Sequence, residues 1–463
     1  MIMKFYNREE EIKELEFMSR KLPSMVVITG RRRIGKTEII KEFLRDKDGI
    51  YLFVDNEKSE KMLLKEYTEY IRNFFGLENY IVIKDWESLL ELIFDIAEKR
   101  EVIVAFDEFQ RFLQVNPSFI NQLQKYWDIN KRSKVFFILS GSSVGMMKKI
   151  FIEHKAPLFK RAQNILFLFP FDFKEISSIL NDFGITDLNT KIEIYSLFGG
   201  TIYYYTLIEY YDIKNTEDIL NKLILRKFAP LRSEVRDIIV EGFGKEHRTY
   251  YSILTAIALG KATKKEISDL VDVKETSLSA YLYDLITEQK PWKSKKGRYF
   301  LKDNFFKFWF RFIHRNMSYY ELSEYDYLGR QIKSQFNSFV GKGYEEVCRE
   351  FLLELNKKNK LPFKFTKIGS WWNRKGNEID IVALNYETKE ILFAECKWQE
   401  KKIGLDVLKK LEEKAKLVDF YKKERKEYFA LFSKSGFKKE LEEYAKENNL
   451  LIFDLDSLTK LLN

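Results

Sequence analysis

The chain is poor in the residues that build disulfide frameworks and zinc sites. Its 463 residues include only two cysteines, Cys348 and Cys396, and three histidines. Two cysteines cannot form a disulfide framework, and three scattered histidines argue against a zinc site. The sequence therefore predicts a cytoplasmic protein.

Long hydrophobic runs are missing as well. Residues 1–10 are too charged for a signal peptide, and apolar stretches such as residues 164–173 are too short to span a bilayer. There is no low-complexity segment and no long-period repeat. We therefore expect no membrane partner.

Neither sign of charge dominates strongly, since the sequence has 80 lysines and arginines and 70 aspartates and glutamates. The net charge of +10 favours a polyanionic partner such as DNA, although the interspersed signs weaken this indication. Abundant lysine and glutamate with only seven prolines equally fit the ion-pair-rich surface of a thermophile. The length suffices for about three domains.

A phosphate-binding loop stands near the N-terminus. Residues 30–37 read GRRRIGKT between an apolar run and a helix-like run, which is the strand–loop–helix setting of a P-loop. Backbone N–H groups of such a loop can surround a phosphate chain, and the following helix adds its positive end. Lys36 is expected to reach the β- and γ-phosphates, and Thr37 to hold Mg²⁺; a plain glycine-rich turn is the alternative. The predicted nucleotide contacts are Gly30, Arg31, Arg32, Arg33, Ile34, Gly35, Lys36 and Thr37.

An acidic strand end completes this predicted site. Residues 101–108 read EVIVAFDE, an apolar strand followed by two carboxylates. Asp107 is expected to orient Mg²⁺ and Glu108 to activate the attacking water; a strand end that exposes charge to water is the alternative. A third strand, residues 135–139, runs into the sequence SGSS at residues 140–143. Ser140 and the other hydroxyl residues of this run can sense the γ-phosphate or position water, because ligands bind outside such strand ends. An ordinary turn is the alternative for this run.

With these motifs the chain resembles the archaeal ATPase family, in the signal-transducing (STAND) branch of the AAA+ ATPases. The box FYNRE at residues 5–9 supports the resemblance, which implies that Asn7 and Arg8 lie on the adenine side. Residues 198–203 also fit, but Ile202 stands where the family usually has proline, so a nucleotide-sensing role of this segment is not implied. Arg161 is a candidate phosphate-sensing arginine, with an ordinary surface arginine as the alternative.

Periodicity divides the chain into four predicted domains. Residues 1–175 alternate strands with amphipathic helices and predict an α/β P-loop ATPase domain whose parallel sheet is covered on both faces. Residues 176–240 predict a helical lid. Residues 241–315 predict a winged helix-turn-helix. Residues 335–463 form a further predicted domain, for which a family resemblance of its charged residues implies a restriction-endonuclease-like α/β fold.

Three short predicted helices and a basic hairpin make up the winged helix-turn-helix. Such a fold positions a helix in a DNA groove and a wing on the phosphates, yet it often serves only as a rigid connector. A solvated surface is the alternative for the lysines of the hairpin. The candidate DNA contacts are Lys274, Ser277, Lys293, Lys295, Lys296 and Arg298.

A second group of charged residues lies on a predicted hairpin near the C-terminus. Glu395 and Lys397 share one face of their strand, because side chains alternate. With a four-residue loop that places Asn385 opposite Glu390, Asp380 faces Glu395 with Cβ atoms about 5 Å apart. Two facing carboxylates repel unless a cation lies between them, so we expect Mg²⁺ on Asp380 and Glu395, with Lys397 orienting the attacking water.

These residues resemble the PD-(D/E)XK nuclease superfamily, and in particular the nuclease-like domain that many archaeal ATPases carry. The match covers residues 339–453 and implies Glu345 as a further acidic site residue. Ile379 replaces the proline of the name motif, a substitution that the superfamily tolerates. The alternative is a solvated face of alternating charge.

Two classes of function remain. The favoured one is an ATP-dependent enzyme that acts on DNA and couples nucleotide binding to phosphodiester hydrolysis. The alternative is a STAND-like ATP-controlled switch that binds DNA or protein and uses its nuclease fold for contacts only. A P-loop motor working as a homo-oligomeric ring is a third class, which one sequence does not reveal.

Overall fold

The computed structural model describes residues 4–243, 246–282, 286–289, 298–373 and 375–462. The chain forms two compact units. Unit 1 comprises residues 1–170 and 201–203, and unit 2 comprises residues 171–200 and 204–463. Each unit has its own sheet.

Unit 1 is built around a parallel sheet in the strand order β2-β3-β4-β1-β5. Its strands are β1 (Ser24–Thr29), β2 (Gly49–Phe53), β3 (Val102–Asp107), β4 (Val135–Gly141) and β5 (Asn164–Phe167). Its helices are α1 (Glu9–Ser19), α2 (Lys36–Leu44), α3 (Glu60–Phe75), α4 (Trp86–Lys99), α5 (Phe112–Val115), α6 (Ser118–Ile129) and α7 (Val144–Phe151), with a 3-10 turn at Phe109–Arg111. The predicted parallel α/β architecture of this region is confirmed.

Helices cover both faces of this sheet. Val27 and Phe137 pack into the core on one face, whereas their neighbours Val26 and Phe136 pack into the core on the other. Alternate residues of one strand point to opposite faces, so a strand buried on both sides must be apolar throughout. This arrangement leaves the carboxyl ends of the strands as the place where polar side chains gather.

Unit 2 begins with helices. These are α8 (Phe173–Asp182), α9 (Leu188–Phe198), α10 (Ile202–Tyr210, whose first two residues belong to unit 1), α11 (Thr216–Asp218) and α12 (Glu234–Phe243), with a π-helical turn at Ile219–Ile224. Asp172 and Glu175 form a reciprocal capping box at the start of α8. Residues 176–240, predicted to form a helical lid, contain most of α8, all of α9, α10 and α11, and most of α12.

The central part of unit 2 has the predicted order of three helices and a hairpin. The elements are α13 (His247–Ala258), α14 (Lys264–Val271), α15 (Glu275–Leu282), β6 (Ile286–Gln289) and β7 (Arg298–Leu301). Lys274 and Ser277 are exposed at the start of α15. Arg298 pairs with Gln289 through the backbone, while Lys293, Lys295 and Lys296 lie outside the described residues.

The C-terminal part of unit 2 carries a mixed sheet in the order β12-β11-β10-β9-β8. Before it come α16 (Asn304–Phe308), a π-helical turn (Trp309–Ile313), a 3-10 turn (His314–Asn316), α17 (Met317–Glu321) and the long α18 (Tyr325–Lys357). The strands are β8 (Lys367–Trp372), β9 (Glu378–Asn385), β10 (Glu390–Lys397), β11 (Lys426–Ser433) and β12 (Leu451–Asp454), and the helices are α19 (Leu405–Ala415), α20 (Lys439–Glu447) and α21 (Leu455–Leu462). Asn385 pairs with Glu390 in the antiparallel β9–β10 hairpin, which is the predicted register.

A buried carboxylate links α18 to the first helices of unit 2. Glu350 accepts hydrogen bonds from the Phe173 backbone N–H (2.7 Å) and from the Tyr195 hydroxyl (2.9 Å). Burial raises the pKa of Glu350 to about 7, and the two hydrogen bonds offset only part of this shift.

We expect the stability of unit 2 to fall as the pH rises from about 4.5 to 7. In this window the folded protein keeps a proton on Glu350 that the unfolded chain releases, so unfolding becomes easier by up to about 3 kcal/mol. Glu350→Gln should flatten the dependence, whereas Glu413→Gln, at an exposed position on α19, should not. Urea unfolding at pH 5 and pH 8 measures both, and an unchanged pH slope in Glu350→Gln would contradict the assignment.

Candidate functional sites

The P-loop of unit 1 connects β1 to α2 and depends on two glycines. A Cβ at Gly30 would lie 2.5 Å from Ile34 Cδ1 and 2.6 Å from the Leu168 carbonyl oxygen. Gly35 has φ +93°, a conformation that L side chains rarely adopt, and no side chain caps α2 after it. The first N–H groups of α2 therefore have no capping side chain and can bind an anion.

Lys36 is held inside this loop. It is only 6% exposed, and its Nζ donates hydrogen bonds to the carbonyl oxygens of Gly30 (3.0 Å) and Arg31 (2.8 Å). Burial lowers the pKa of Lys36 to about 8, against the opposing influence of Glu108 and Asp107. A buried ammonium bound only to neutral carbonyls is suited to receive phosphate oxygens.

Thr37 joins the P-loop to the acidic strand end. Its hydroxyl donates to Asp107 Oδ2 (2.6 Å), which also accepts from the Tyr51 hydroxyl (2.8 Å). Asp107 is 2% exposed at the end of β3. A hydroxyl and a carboxylate are oxygen donors of the kind that Mg²⁺ prefers, so this pair fits the predicted metal contact.

Two side chains orient Glu108. Its Oε2 accepts hydrogen bonds from Gln110 Nε2 (2.5 Å) and Ser142 Oγ (2.6 Å). Gln110 also donates to Ser142 (3.3 Å). Ser142 belongs to the hydroxyl run at the end of β4 that the sequence singled out, whereas Gln110 was not predicted, because it lies on a 3-10 turn whose direction only the fold determines.

Ser140 occupies the predicted position at the carboxyl end of β4, next to the P-loop strand. It is fully buried, and its hydroxyl has no hydrogen-bond partner in the described part of the chain. The Thr29 hydroxyl at the end of β1 is in the same state. Buried polar groups are rarely left without partners, so both hydroxyls suit a site that a polar ligand or water completes.

The N-terminal box is tied to the same loop. Arg8 donates to the Phe169 carbonyl oxygen (2.7 Å) and pairs with Glu11 (3.0 Å). Asn7 has φ +46°, so the chain turns sharply here. In the structure Arg8 contacts protein atoms, and the adenine-side role of Asn7 and Arg8 stays a prediction.

Arg161 is placed differently from the phosphate-sensing expectation. Its guanidinium forms a two-point ion pair with Asp128 on α6, with Nη2–Oδ2 at 2.7 Å and Nε–Oδ1 at 3.1 Å. It also donates to the carbonyl oxygens of Pro157 and Phe159. This geometry supports the alternative, an arginine with a structural role, because its donors already serve protein acceptors.

The segment that departs from the family pattern lies against the P-loop. Ile202 Cγ2 would be 3.7 Å from a Cβ at Gly35. The Tyr203 N–H donates to the Arg33 carbonyl oxygen (3.3 Å), and the Arg33 guanidinium lies 4.2 Å from the centre of the Tyr203 ring. These contacts fix the loop conformation from outside.

In unit 2, three carboxylates come together: Glu345 on α18, and Glu378 and Asp380 on β9. One oxygen from each lies within 4.8 Å of the others. Burial, and then the nearby Asp380, raises the pKa of Glu345 to about 8, although Lys342 opposes the shift. Lys342 Nζ lies 2.9 Å from Glu345 and 3.2 Å from Glu378. An ammonium group thus neutralises part of the cluster.

Glu395 was predicted to share a metal ion with Asp380. It is 6% exposed and forms ion pairs with Lys397 (2.6 Å) and with Lys414 of α19 (3.1 Å). Asp380 accepts a hydrogen bond from the Cys396 backbone N–H (2.8 Å). Lys414 comes from a helix that the sequence did not connect with this strand, and the metal role of Asp380 and Glu395 stays a prediction. Burial disfavours the charged form of Lys397, but the nearby Glu395 stabilises this form more strongly, so the pKa of Lys397 is raised.

No helix within the described ranges is both long and apolar enough to cross a membrane. Residues 5–208 match a family described as an ATPase domain predominantly from Archaea. Residues 309–416 match a family described as archaeal and bacterial proteins of unknown function.

Related proteins and structures agree with the ATPase match. A Methanocaldococcus jannaschii protein, MJECL04, is 36% identical over 98% of this chain and its own full length. A second protein of that organism, the ATP-binding protein MJ0423, is 46% identical over 10% of this chain and 80% of its own length. The Walker-type ATPase PABY2304 of Pyrococcus abyssi has a similar fold, with 21% identity, a TM-score of 0.50, and coverage of 66% of this chain and 96% of its own. The chain therefore belongs to the family of MJECL04 and carries an ATPase domain of the archaeal type.

Proposed function

We propose that the chain hydrolyses ATP and uses the nucleotide cycle to control an action on DNA. The hydrogen bond between the Thr37 hydroxyl and Asp107 Oδ2 (2.6 Å) supports the ATP hydrolysis part of the proposal, because it joins the P-loop to the acidic strand end. Nucleotide hydrolysis needs these two elements at one place.

The side chains of unit 1 divide the work of hydrolysis. Loop N–H groups and Lys36 bind the phosphates, while Thr37 and Asp107 would hold Mg²⁺, which neutralises charge on the phosphate oxygens when bound. Glu108 takes the proton of the attacking water. Its Oε2 is held by Gln110 and Ser142, which directs the carboxylate and leaves Oε1 without a hydrogen bond from any described residue.

The direct test is steady-state phosphate release by the purified chain with ATP. We expect turnover in the presence of Mg²⁺ and its loss when the metal is chelated. Absence of turnover with ATP and Mg²⁺, with and without added DNA, would overturn the proposal. Nucleotide binding without turnover would leave the switch class as the better account.

The second part of the proposal concerns unit 2, which we interpret as a winged helix-turn-helix followed by a PD-(D/E)XK nuclease-like domain. Three carboxylates within 4.8 Å favour a divalent metal there, held by Glu345, Asp380 and Glu378. Lys397 would stabilise charge that develops on a phosphodiester, with Glu395 fixing its ammonium. Lys274 and Ser277 are the described candidates for DNA contact from α15.

We expect the native chain to cut plasmid DNA with Mg²⁺ or Mn²⁺, and Asp380→Ala to abolish the cutting because it removes a metal ligand. Asp406→Ala, an exposed-helix carboxylate on α19, serves as the control and should cut normally. Gel analysis of plasmid forms measures this. No cutting by the native chain in any nucleotide state would leave the alternative, an ATP-controlled regulatory switch with an inactive nuclease fold.

A further inference from the structure

Unit 2 contains a cavity of about 1080 Å³ that ends at the carboxylate cluster. Its lining runs from the α13–α14 connection and β7, past α16 and the helical turns after it, to Asp380 on β9. Pockets for small ligands span roughly 300–1,000 Å³, so this space is slightly larger than that range. It has room for more than one nucleotide unit.

One wall of the cavity carries a row of cations. Lys307, Arg311 and Arg315, on α16 and the two helical turns after it, all line the cavity. Arg311 donates a long hydrogen bond to Ser338 (3.4 Å), and Arg315 donates to the Ala258 carbonyl oxygen (3.0 Å).

The two arginines lack acidic partners. Neither has a carboxylate within ion-pair distance in the described part of the chain. Burial, and then the charge of Arg315, lowers the pKa of Arg311. Two neighbouring guanidinium groups that repel each other cost free energy unless an anion joins them. Elsewhere in unit 2 comparable arginines are paired, as Arg232 is with Glu321 (2.8 Å) and Arg349 with Glu346 (3.0 Å).

Aromatic side chains lie in the same lining. Phe300 on β7 is 37% exposed, and Trp372 at the end of β8 lies beside the carboxylate cluster. Aromatic rings in a lining that also holds arginines are the combination that binds unpaired nucleotides, because each nucleotide offers a flat base for stacking and a phosphate for the cation.

We propose that this cavity binds a single strand of nucleic acid, with phosphates on Arg311 and Arg315, and leads the strand to Asp380 and its neighbours. The inference deepens the nuclease part of the proposed function by naming its substrate class. Duplex DNA is read by a convex element inserted into a groove about 12 Å wide. Here the cations line the inside of a concavity, which suits a single strand better than a duplex.

The test measures binding separately from cutting. Fluorescence anisotropy is recorded with short labelled oligothymidylate, oligouridylate and a duplex of equal length, with Ca²⁺ in place of Mg²⁺ and without nucleotide. We expect at least one single strand to bind about tenfold more tightly than the duplex. Comparison of the two single strands shows whether the cavity prefers DNA or RNA. Equal or tighter binding of the duplex, or no binding of either single strand, would overturn the proposal.

The double variant Arg311→Gln/Arg315→Gln identifies the contact residues. It should weaken single-strand binding about tenfold and reduce the slope of log affinity against log salt by about 1.4, since each phosphate contact on a single strand contributes about 0.7. Arg311→Lys/Arg315→Lys keeps the charge and should restore most of the slope. Arg330→Gln/Lys439→Gln, at exposed positions outside the cavity lining, is the matched control.

Circular dichroism and ATP turnover of each variant establish that the chain is folded. An unchanged salt slope in the folded double glutamine variant would refute the assignment of these arginines. Since ATP turnover is read on the same samples, failure of the strand-binding proposal is distinguishable from failure of the ATPase proposal.

Discussion

Glu108→Gln is expected to lower ATP turnover roughly 100- to 10,000-fold, the range over which a positioned general base contributes. The amide keeps the size of the side chain but cannot accept the proton of the attacking water. ATP binding should change little, because Lys36, Thr37 and Asp107 remain in place. Phosphate release measures turnover, and a fluorescent ATP analogue measures binding.

Comparison with two lysine variants makes this prediction specific. Lys36→Ala removes the buried ammonium of the P-loop and should weaken nucleotide binding by about 10- to 100-fold, as expected for a hydrogen bond to a charged group. Lys41→Ala alters the same helix, but at a 59% exposed side chain paired only with Glu38, and should leave binding and turnover unchanged. Turnover of Glu108→Gln within a fewfold of the native rate would exclude this carboxylate as the base.

Gly200→Ala is expected to destabilise the chain by more than about 4 kcal/mol, which is at the extreme of single substitutions. A Cβ at this position would lie 1.7 Å from the Phe171 carbonyl oxygen and 2.5 Å from its backbone nitrogen. The clash is with backbone, and the Phe171 N–H already donates to the Gly200 carbonyl oxygen (2.9 Å). Neither backbone segment can move away from the other without breaking that hydrogen bond.

The matched substitution is Gly242→Ala in the last turn of α12, where a Cβ meets no atom of the described residues within 4 Å. Alanine there should be close to neutral, because it neither clashes nor lies in the helix interior. Urea midpoints from far-ultraviolet circular dichroism compare the two variants with the native chain. A loss below about 1 kcal/mol in Gly200→Ala would show that the chain relaxes around the new methyl group.

The nucleotide site of unit 1 was largely predictable because its motifs are local. The P-loop combines its glycines, lysine and threonine in eight consecutive residues, and the acidic pair directly follows an apolar strand. The parallel sheet then brings Thr37 and Asp107 together, as strand ends of one sheet share an edge. Gln110 was not predicted, since its position depends on the turn after β3.

The second site shows where local patterns stop being sufficient. A loop of four residues sets the register of the β9–β10 hairpin, so the pairing of Asn385 with Glu390 could be predicted from the sequence. The distribution of charge could not, because Lys414 reaches Glu395 from a helix outside the hairpin. Glu378 joins the carboxylate cluster because it lies on the same face of β9 as Asp380, and its contact with Lys342 of α18 depends on packing.

By itself the sequence determined which segments form strands and helices and which short motif forms the P-loop, since these depend on periodicity and on residues that are neighbours along the chain. Only the tertiary structure decided the partners of the charged side chains. Arg161 pairs with Asp128, Glu395 with Lys414, and Arg311 with no carboxylate in the described ranges. Ion pairs form only between groups that lie a few ångströms apart. Packing brings such groups together from distant parts of the chain, so their positions in the sequence do not predict the pairs.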